Sequence, residues 1–415
     1  MALLLCAWAL LGCAPGDGGA GSGAGLAGDS AGDSGEDSAG GEDEVAFPCD
    51  GGSWEDHPDF GEWVHVRANG DDGGDGTRAA PFASVPAGLN WSRAYGRKTI
   101  FVGPGDFAAN LDLADDLGEG GSDVRLRILG CGPDETHLTP ASPSDILLKL
   151  SGVHDVQIIG VELFGGETPL LIWQGSSAFL QNVSVRNALT TGVWIDGNDT
   201  VVVAEQLIIE DTVAGDPDMS GAASDNGWGL RINLADVTLR TSAIARNRRA
   251  GIAMFGGTLH ATDIVVIDTQ PGDDDLDGEG IFADFSTLVV DGATCVRNRV
   301  AGVHVVDGTD TQLANVMVNT TLANEAGAYG DGILLHQSST FDPAFFGHTL
   351  TDSIVSGNAR AGVVVDGVSV TTLSGNTVTE NGYDVGGVSI IAQGSAVMPE
   401  GSDVWAVPDP PLAVP

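Results

Sequence analysis

Between Gly192 and Gly387 a glycine opens a short alternating apolar run eight times: GVWI, GLRI, GIAM, GIFA, GVHV, GILL, GVVV and GVSI. Successive side chains of a strand point to opposite faces, so the first and third residues after each Gly, such as Val193 and Ile195 or Val303 and Val305, face a core. The second and fourth then face outward in two rows. One reads Trp194, Arg231, Ala253, Phe282, His304, Leu334, Val364, Ser389 and the other Asp196, Asn233, Phe255, Asp284, Val306, His336, Asp366, Ile391. Carboxylates and imidazoles side by side are the groups of general acid–base catalysis, which makes Asp284, His304, His336 and Asp366 candidate acids and bases. Arg231 is placed to neutralise a substrate carboxylate. The binding candidates Trp194, Asp196, Asn233, Phe255 and Phe282 suit carbohydrate, whose rings stack on aromatic faces while hydroxyls take hydrogen bonds. A solvent-facing sheet also carries such a mixture simply as its cover.

These rows exist only if the repeated strands stack. The glycines are 22 to 37 residues apart, which a coil of about 22 residues with loops of varying size explains. The period of two excludes helical solenoids. Asn187, Asn247, Asn298, Asn358 and Asn381 precede the glycines by four to six residues, as expected for a stacked turn that favours the left-handed backbone. Insertions from Asp211 to Trp228, Asp268 to Glu279 and Asn319 to Asp331 enter at one point of the coil and are expected to wall the outward rows into a groove. The second contains Asp273, Asp275, Asp277 and Glu279, the alternation of the first half of a calcium loop, without flanking helices. Calcium is the cofactor expected there. Asp71, Asp72 and Asp75 are a fainter version.

Composition fits many short strands: 61 Gly, 18 Pro and little Lys. A net charge of −41 repels phosphate backbones and anionic lipid, so nucleic acid is excluded as a partner. Residues 1–12 are too short to span a bilayer and suit a signal-peptide core. Residues 13–60 are an acidic Gly/Ser/Asp tether with little to bury. Residues 61–150 hold an N-terminal cap and the first coils, 151–398 the repeats, and 399–415 a Pro-rich tail. Cys49, Cys131 and Cys295 permit one disulfide, with Cys49–Cys131 tying the tether to the first coils and Cys295 a buried apolar residue.

The repeats VRNALTTGVWI, ARNRRAGIAM, VRNRVAGVHV and SGNARAGVVV resemble the pectate-lyase-like superfamily of right-handed parallel β-helices over roughly residues 150–395. The resemblance implies an all-β solenoid with three parallel sheets and an Asn ladder. The stretches NGDDGGDGTRAAPFASVPAGL, TIFVGPGDF and LRILGCGPDETHL resemble the start of extracellular members, implying a capping helix near Ser84 to Tyr95. The Asn-Thr-Asp, Gly-His-Gly and Arg-Ile-Lys stations of polygalacturonase-like members are absent, as is the Asp-Pro-His turn of alginate epimerases. The lysines are Lys98 and Lys149, both ahead of the central coils where a lyase base belongs. Leu10-Leu11-Gly12-Cys13 resembles the bacterial lipobox, implying lipidation of Cys13, although no Lys or Arg precedes Arg67. Together these readings put first an exported, monomeric outer-membrane or cell-surface lipoprotein, held to the membrane by its lipid alone. It would present a non-catalytic β-helix to extracellular polysaccharide or another partner. The alternative is a polysaccharide lyase, epimerase or hydrolase acting on acidic polysaccharide.

Overall fold

The computed structural model describes residues 62–414, apart from 115–124, 216–225, 273–276, 338–346, 368–370, 395–399, 402–405, 408–410 and positions 308 and 385. The signal segment, Cys13 and the tether lie outside the described residues, as do Asp273 and Asp275. Among the described residues no helix is long and apolar enough to cross a membrane.

Every strand pairing joins parallel strands of successive coils. Eleven strands form a front sheet, among them Thr191–Asp196, Trp228–Asn233, Ala250–Phe255, Glu279–Asp284, Ala301–Val305, Asp331–His336 and Val363–Asp366. Of the three sheets expected, two stand apart among the described residues, where the other strands join into one sheet of 19. Its ten-residue strands, such as Ser177–Arg186 and Thr287–Val296, pass Asn182 or Gly292 in the left-handed region and continue pairing on both sides. One helix, Val85–Tyr95, starts at the Ser84 cap and ends at left-handed Gly96; Val85 and Leu89 join the core with Val64 and Ile100.

Inside the coils Leu230, Ile252, Ile281, Val303, Ile333 and Val363 stack as one inaccessible column. The inward and outward assignment of the strands therefore holds. The recurring Gly is required by space: a Cβ on Gly280 would lie 2.5 Å from Gly302 O and 2.6 Å from Asn298 Nδ2, closer than real contacts allow. Asn298 is itself buried, its Oδ1 accepting from Thr269 N and its Nδ2 donating to Val266 O. Asn247 and Asn358 accept in the same way from Thr212 N and Thr321 N, so the ladder alternates Asn with Thr and ends in Asn381.

Two parts of the repeat need correction. Asn187 is exposed with φ 56 and takes the left-handed place one residue before the ladder, in line with Asp211 and Arg246; Ala188 holds the ladder position. In the last coil Ile390, not Val388, pairs with Val363, so the rows continue through Ile391 and Gln393 instead of Ser389 and Ile391. Gly387 sits two residues too early and has open space around it.

Cys131 is disulfide-bonded, and Cys49, its expected partner, lies outside the described residues. Cys295 is buried and free, and that burial pushes its thiol up to about 12. Asp71, Asp72 and Asp75 cap turns: Asp72 accepts from Ala83 N, Ser84 N and Ser84 Oγ, and the others bond Gly73 and Thr77.

Candidate active site

All three insertions bridge the same corner, between the ladder and the front sheet, and each returns on the first residue of a front strand. Those residues are Trp228, Glu279 and Asp331. Where the corner is tight, the place is taken by Ala250 or Ala301, in register with Glu279 and Asp331 respectively. A large side chain thus alternates with a methyl group, which opens room between neighbouring coils. Trp228, Glu279 and Asp331 are 8%, 3% and 0% exposed. Trp228 and Asp331 were not singled out from the sequence, and Glu279 only as a metal ligand. The signal was present as the residue type before each repeat Gly, with WG, EG and DG interleaved with AG.

The outward aromatics form a continuous track. The guanidinium of Arg231 lies 4.7 Å from the Trp194 ring centre and 4.2 Å from that of Trp228. Trp228 meets Phe255 at 5.9 Å, Phe255 meets Phe282 at 5.7 Å, and Phe282 meets the His304 imidazole edge-on at 5.4 Å. Such offset and edge-on contacts keep ring faces available along the sheet. A cavity of about 150 Å³ opens at its centre between Trp228, Phe255, Phe282, Glu279, Arg249 and Asp277. Arg231 donates through Nε to Asn233, so its role is to stiffen the track. It stands three strands away from His304, the spacing that the outward row gives it. Asp196 and Asn233 continue the outer row in register.

At the end of the track His304 Nδ1 lies 3.1 Å from Glu279 Oε1, with both side chains almost wholly buried. When Nδ1 carries the proton, Glu279 fixes the ring so that Nε2 is the working nitrogen. That Nε2 is buried without a hydrogen-bond partner. One strand earlier Asp284 has its carboxyl raised above the usual carboxylate range, first by burial and then by the like charge of Asp307. Asp307, on the turn after the His304 strand, was missed because it lies just past the alternating run. One strand beyond, His336 is held below the usual imidazole range by burial, with Asp366 opposing; its Nε2 is 3.6 Å from Asp366 Oδ2. The adjacency of His336 and Asp366 predicted from the rows is thus present, as an ion-pair contact longer than a hydrogen bond.

The calcium expectation meets a different arrangement. Asp277 is 2.7 Å from Arg249 and Glu279 is engaged by His304, so these two carboxylates already have partners. Among the described residues no cluster of acidic, His or Cys side chains has the form of a metal site.

Residues 169–346 match the family model described as right handed beta helix region. No curated protein matches the chain. Among solved structures, the catalytic unit of a GH87 alpha-1,3-glucanase from Streptomyces thermodiastaticus is similar at 13% identity and a TM-score of 0.46, covering 77% of this chain and 65% of that one. Dettilon tailspike protein (gp208) is similar at 12% identity and 0.44, covering 79% and 68%. Pectate lyase Pel9A is similar at 13% and 0.41, covering 79% and 80%. The fold is thus a right-handed parallel β-helix of the kind these proteins share. The expectation of a non-catalytic presenting module is overturned, since the similar structures are in the main carbohydrate-acting enzymes. A likeness of this degree is one of fold.

Proposed function

We propose that this chain is an enzyme acting on polysaccharide, with the chain of sugars lying along the outer face of the front sheet and the bond to be changed placed over Asp284, His304 and His336. The carrying observation is the buried Glu279–His304 pair at the end of the aromatic track. Removing two ionisable groups from water costs several kcal/mol, and nothing in the folding of a solenoid requires it at this place. Surface cover does not explain the pair. In this reading Trp194, Trp228, Phe255 and Phe282 stack on sugar rings, Asp284 holds a proton for donation, and the imidazoles and Asp307 accept one. Asp366 positions His336.

The test is a set of single variants, His304→Ala, Asp284→Asn and His336→Ala, assayed on the polysaccharide the wild type degrades. Each is expected to lower kcat by about a hundredfold or more at unchanged circular dichroism. Full turnover by His304→Ala together with Asp284→Asn would remove the reading. Export and lipidation at Cys13 belong to the same proposal, supported by the lipobox-like sequence; incorporation of labelled palmitate into the wild type but not into Cys13→Ser checks it.

A further inference from the structure

The outer face of the front sheet changes character at His304. Before it, the outward side chains Trp194, Arg231 and Phe282 are half-buried, as are Trp173, Asn233 and Phe255 in the adjoining row. Beyond it the row of His304 runs on through Leu334, Val364 and Ile391, each 0% exposed although each points away from the interior of the coil. Aliphatic side chains on an outer face stay out of water only under a cover. The tail supplies part of that cover: Leu412 and Val414, together with Tyr383, pack on the cluster that Leu334, Val364 and Ile391 form with Ala301 and Ala361.

Polar bonds fix the tail as well. Gln393, next after Asp366 in its row, donates through Nε2 to Leu412 O at 2.8 Å and accepts from Leu412 N at 2.7 Å. Arg360, which also grips Asp331, donates through Nη1 to Ala413 O. Gln393 ends its front strand and Arg360 stands just before the start of its own, so the tail is anchored from both margins of the sheet.

The proposed site therefore has an open side and a closed side. From the acid–base cluster a sugar chain can run back over Phe282, Phe255 and Trp194, a distance of four strand spacings or about 19 Å. In the other direction Gln393 and the tail it holds stand three strands past His304, which leaves about two spacings, roughly 10 Å, over His336 and Asp366. The side chains of those two residues keep 17% and 19% exposure, and the next residue of their row is the one that binds Leu412. An internal stretch of polymer would have to pass through the space that Leu412, Ala413 and Val414 fill.

We infer that the enzyme shortens its substrate from a chain end, with Leu412 and Val414 as the residues that limit how many sugars lie beyond the cleaved bond. This rests on the catalytic reading above. The space on the closed side fits one or two sugars, so each turnover releases a saccharide of that length while the rest of the polymer stays on the aromatic track.

The experiment gives the full chain a soluble glucan, xylan, polygalacturonate and alginate, and follows reducing ends, viscosity and product size in the first minutes. On the polymer that is degraded, the expected early product is a saccharide of one or two sugars, with reducing ends rising while the viscosity holds. Combining Leu412→Asp with Val414→Asp sets a charge against each apolar contact and drives the tail off the sheet. The early products should then shift to a mixture of longer oligosaccharides, and the viscosity should fall as reducing ends appear. Gln393→Ala, which removes two tail bonds and keeps the apolar contacts, should shift product size in the same direction, and serves if the double variant does not fold. Long oligosaccharides from the wild type in the first minutes, with falling viscosity, would overturn the inference and leave the catalytic reading intact. A double variant with native circular dichroism and the product sizes of the wild type would overturn it too. No product from any of the four polymers ends the catalytic reading, and the inference with it.

Discussion

Asn298→Ala tests the corner on which the site is hung. The side chain answers two backbone groups of the preceding coil, Thr269 N at 3.1 Å and Val266 O at 2.9 Å, and none of the three is in reach of water. Alanine leaves both unanswered, and each buried orphan costs about 1–3 kcal/mol, so the expected loss is roughly 2–6 kcal/mol. Thr flanks this position in the ladder as Thr269 and Thr321, and Asn298→Thr replaces the amide by a single shorter hydroxyl that can answer one of the two groups but not both; it is expected to cost about half as much. Because coils of a solenoid contact only their neighbours, the damage is local. Hydrogen exchange should accelerate in Thr258–Ile267 and Thr287–Val296 and not in Ser177–Arg186, alongside an earlier midpoint in urea. A loss below about 0.5 kcal/mol for the alanine variant, or equal losses for Ala and Thr, would refute the view that these bonds hold the corner.

The pH–rate profile should fall on its alkaline side as Asp284 loses its proton, above the usual carboxylate range. Asp307→Asn, assayed for its residual activity, should move that limb to lower pH by removing the like charge, and an unmoved limb would separate the two residues. His348 offers a stability counterpart. Burial lowers its pKa to about 4 from the 6.5 of an exposed imidazole. Between those values the unfolded chain binds a proton that the native chain does not, so stability is lost as pH falls through that window, by about 3 kcal/mol in all, and is unaffected above it. His348→Leu should flatten that part of the profile in denaturant titrations at pH 7 and pH 4.5.

Periodicity alone was enough to read the coil, its inward column and most of the outward rows, because a buried aliphatic core punishes any one-residue slip. What it missed has local causes. Gly387 looks like its predecessors but has no ladder residue pressing on it, so the register moved by two without a clash. Asn187 fits a left-handed turn as readily as a ladder, and only the hydrogen bond to Glu210 O tells which it occupies. The alternating pattern begins at each Gly, so it does not reach Trp228, Glu279 and Asp331, whose side chains the corner insertions deliver just before it. The third sheet is an expectation of the family resemblance, and here one left-handed residue lets a strand turn without breaking its pairing.

Charge on a solenoid surface is not in itself a mark of function, and the back sheet shows why. There Asp106, His137, Glu162, Arg186, Glu210 and Arg246 follow one another from coil to coil, ending in Asp211, and each stands within ion-pair distance of an opposite charge. Burial raises the Glu162 carboxyl, and Arg186 and His137 oppose that rise. Such a ladder is electrically closed and asks for no ligand. The front sheet differs in kind. Asp284 faces a like charge in Asp307, His336 Nδ1 and His304 Nε2 are buried without partners, and Asp284 and His336 end the front strands that two of the corner insertions open. In the proposed reading a substrate lying on the aromatic track completes His304 Nε2 and His336 Nδ1, which the protein itself leaves unanswered.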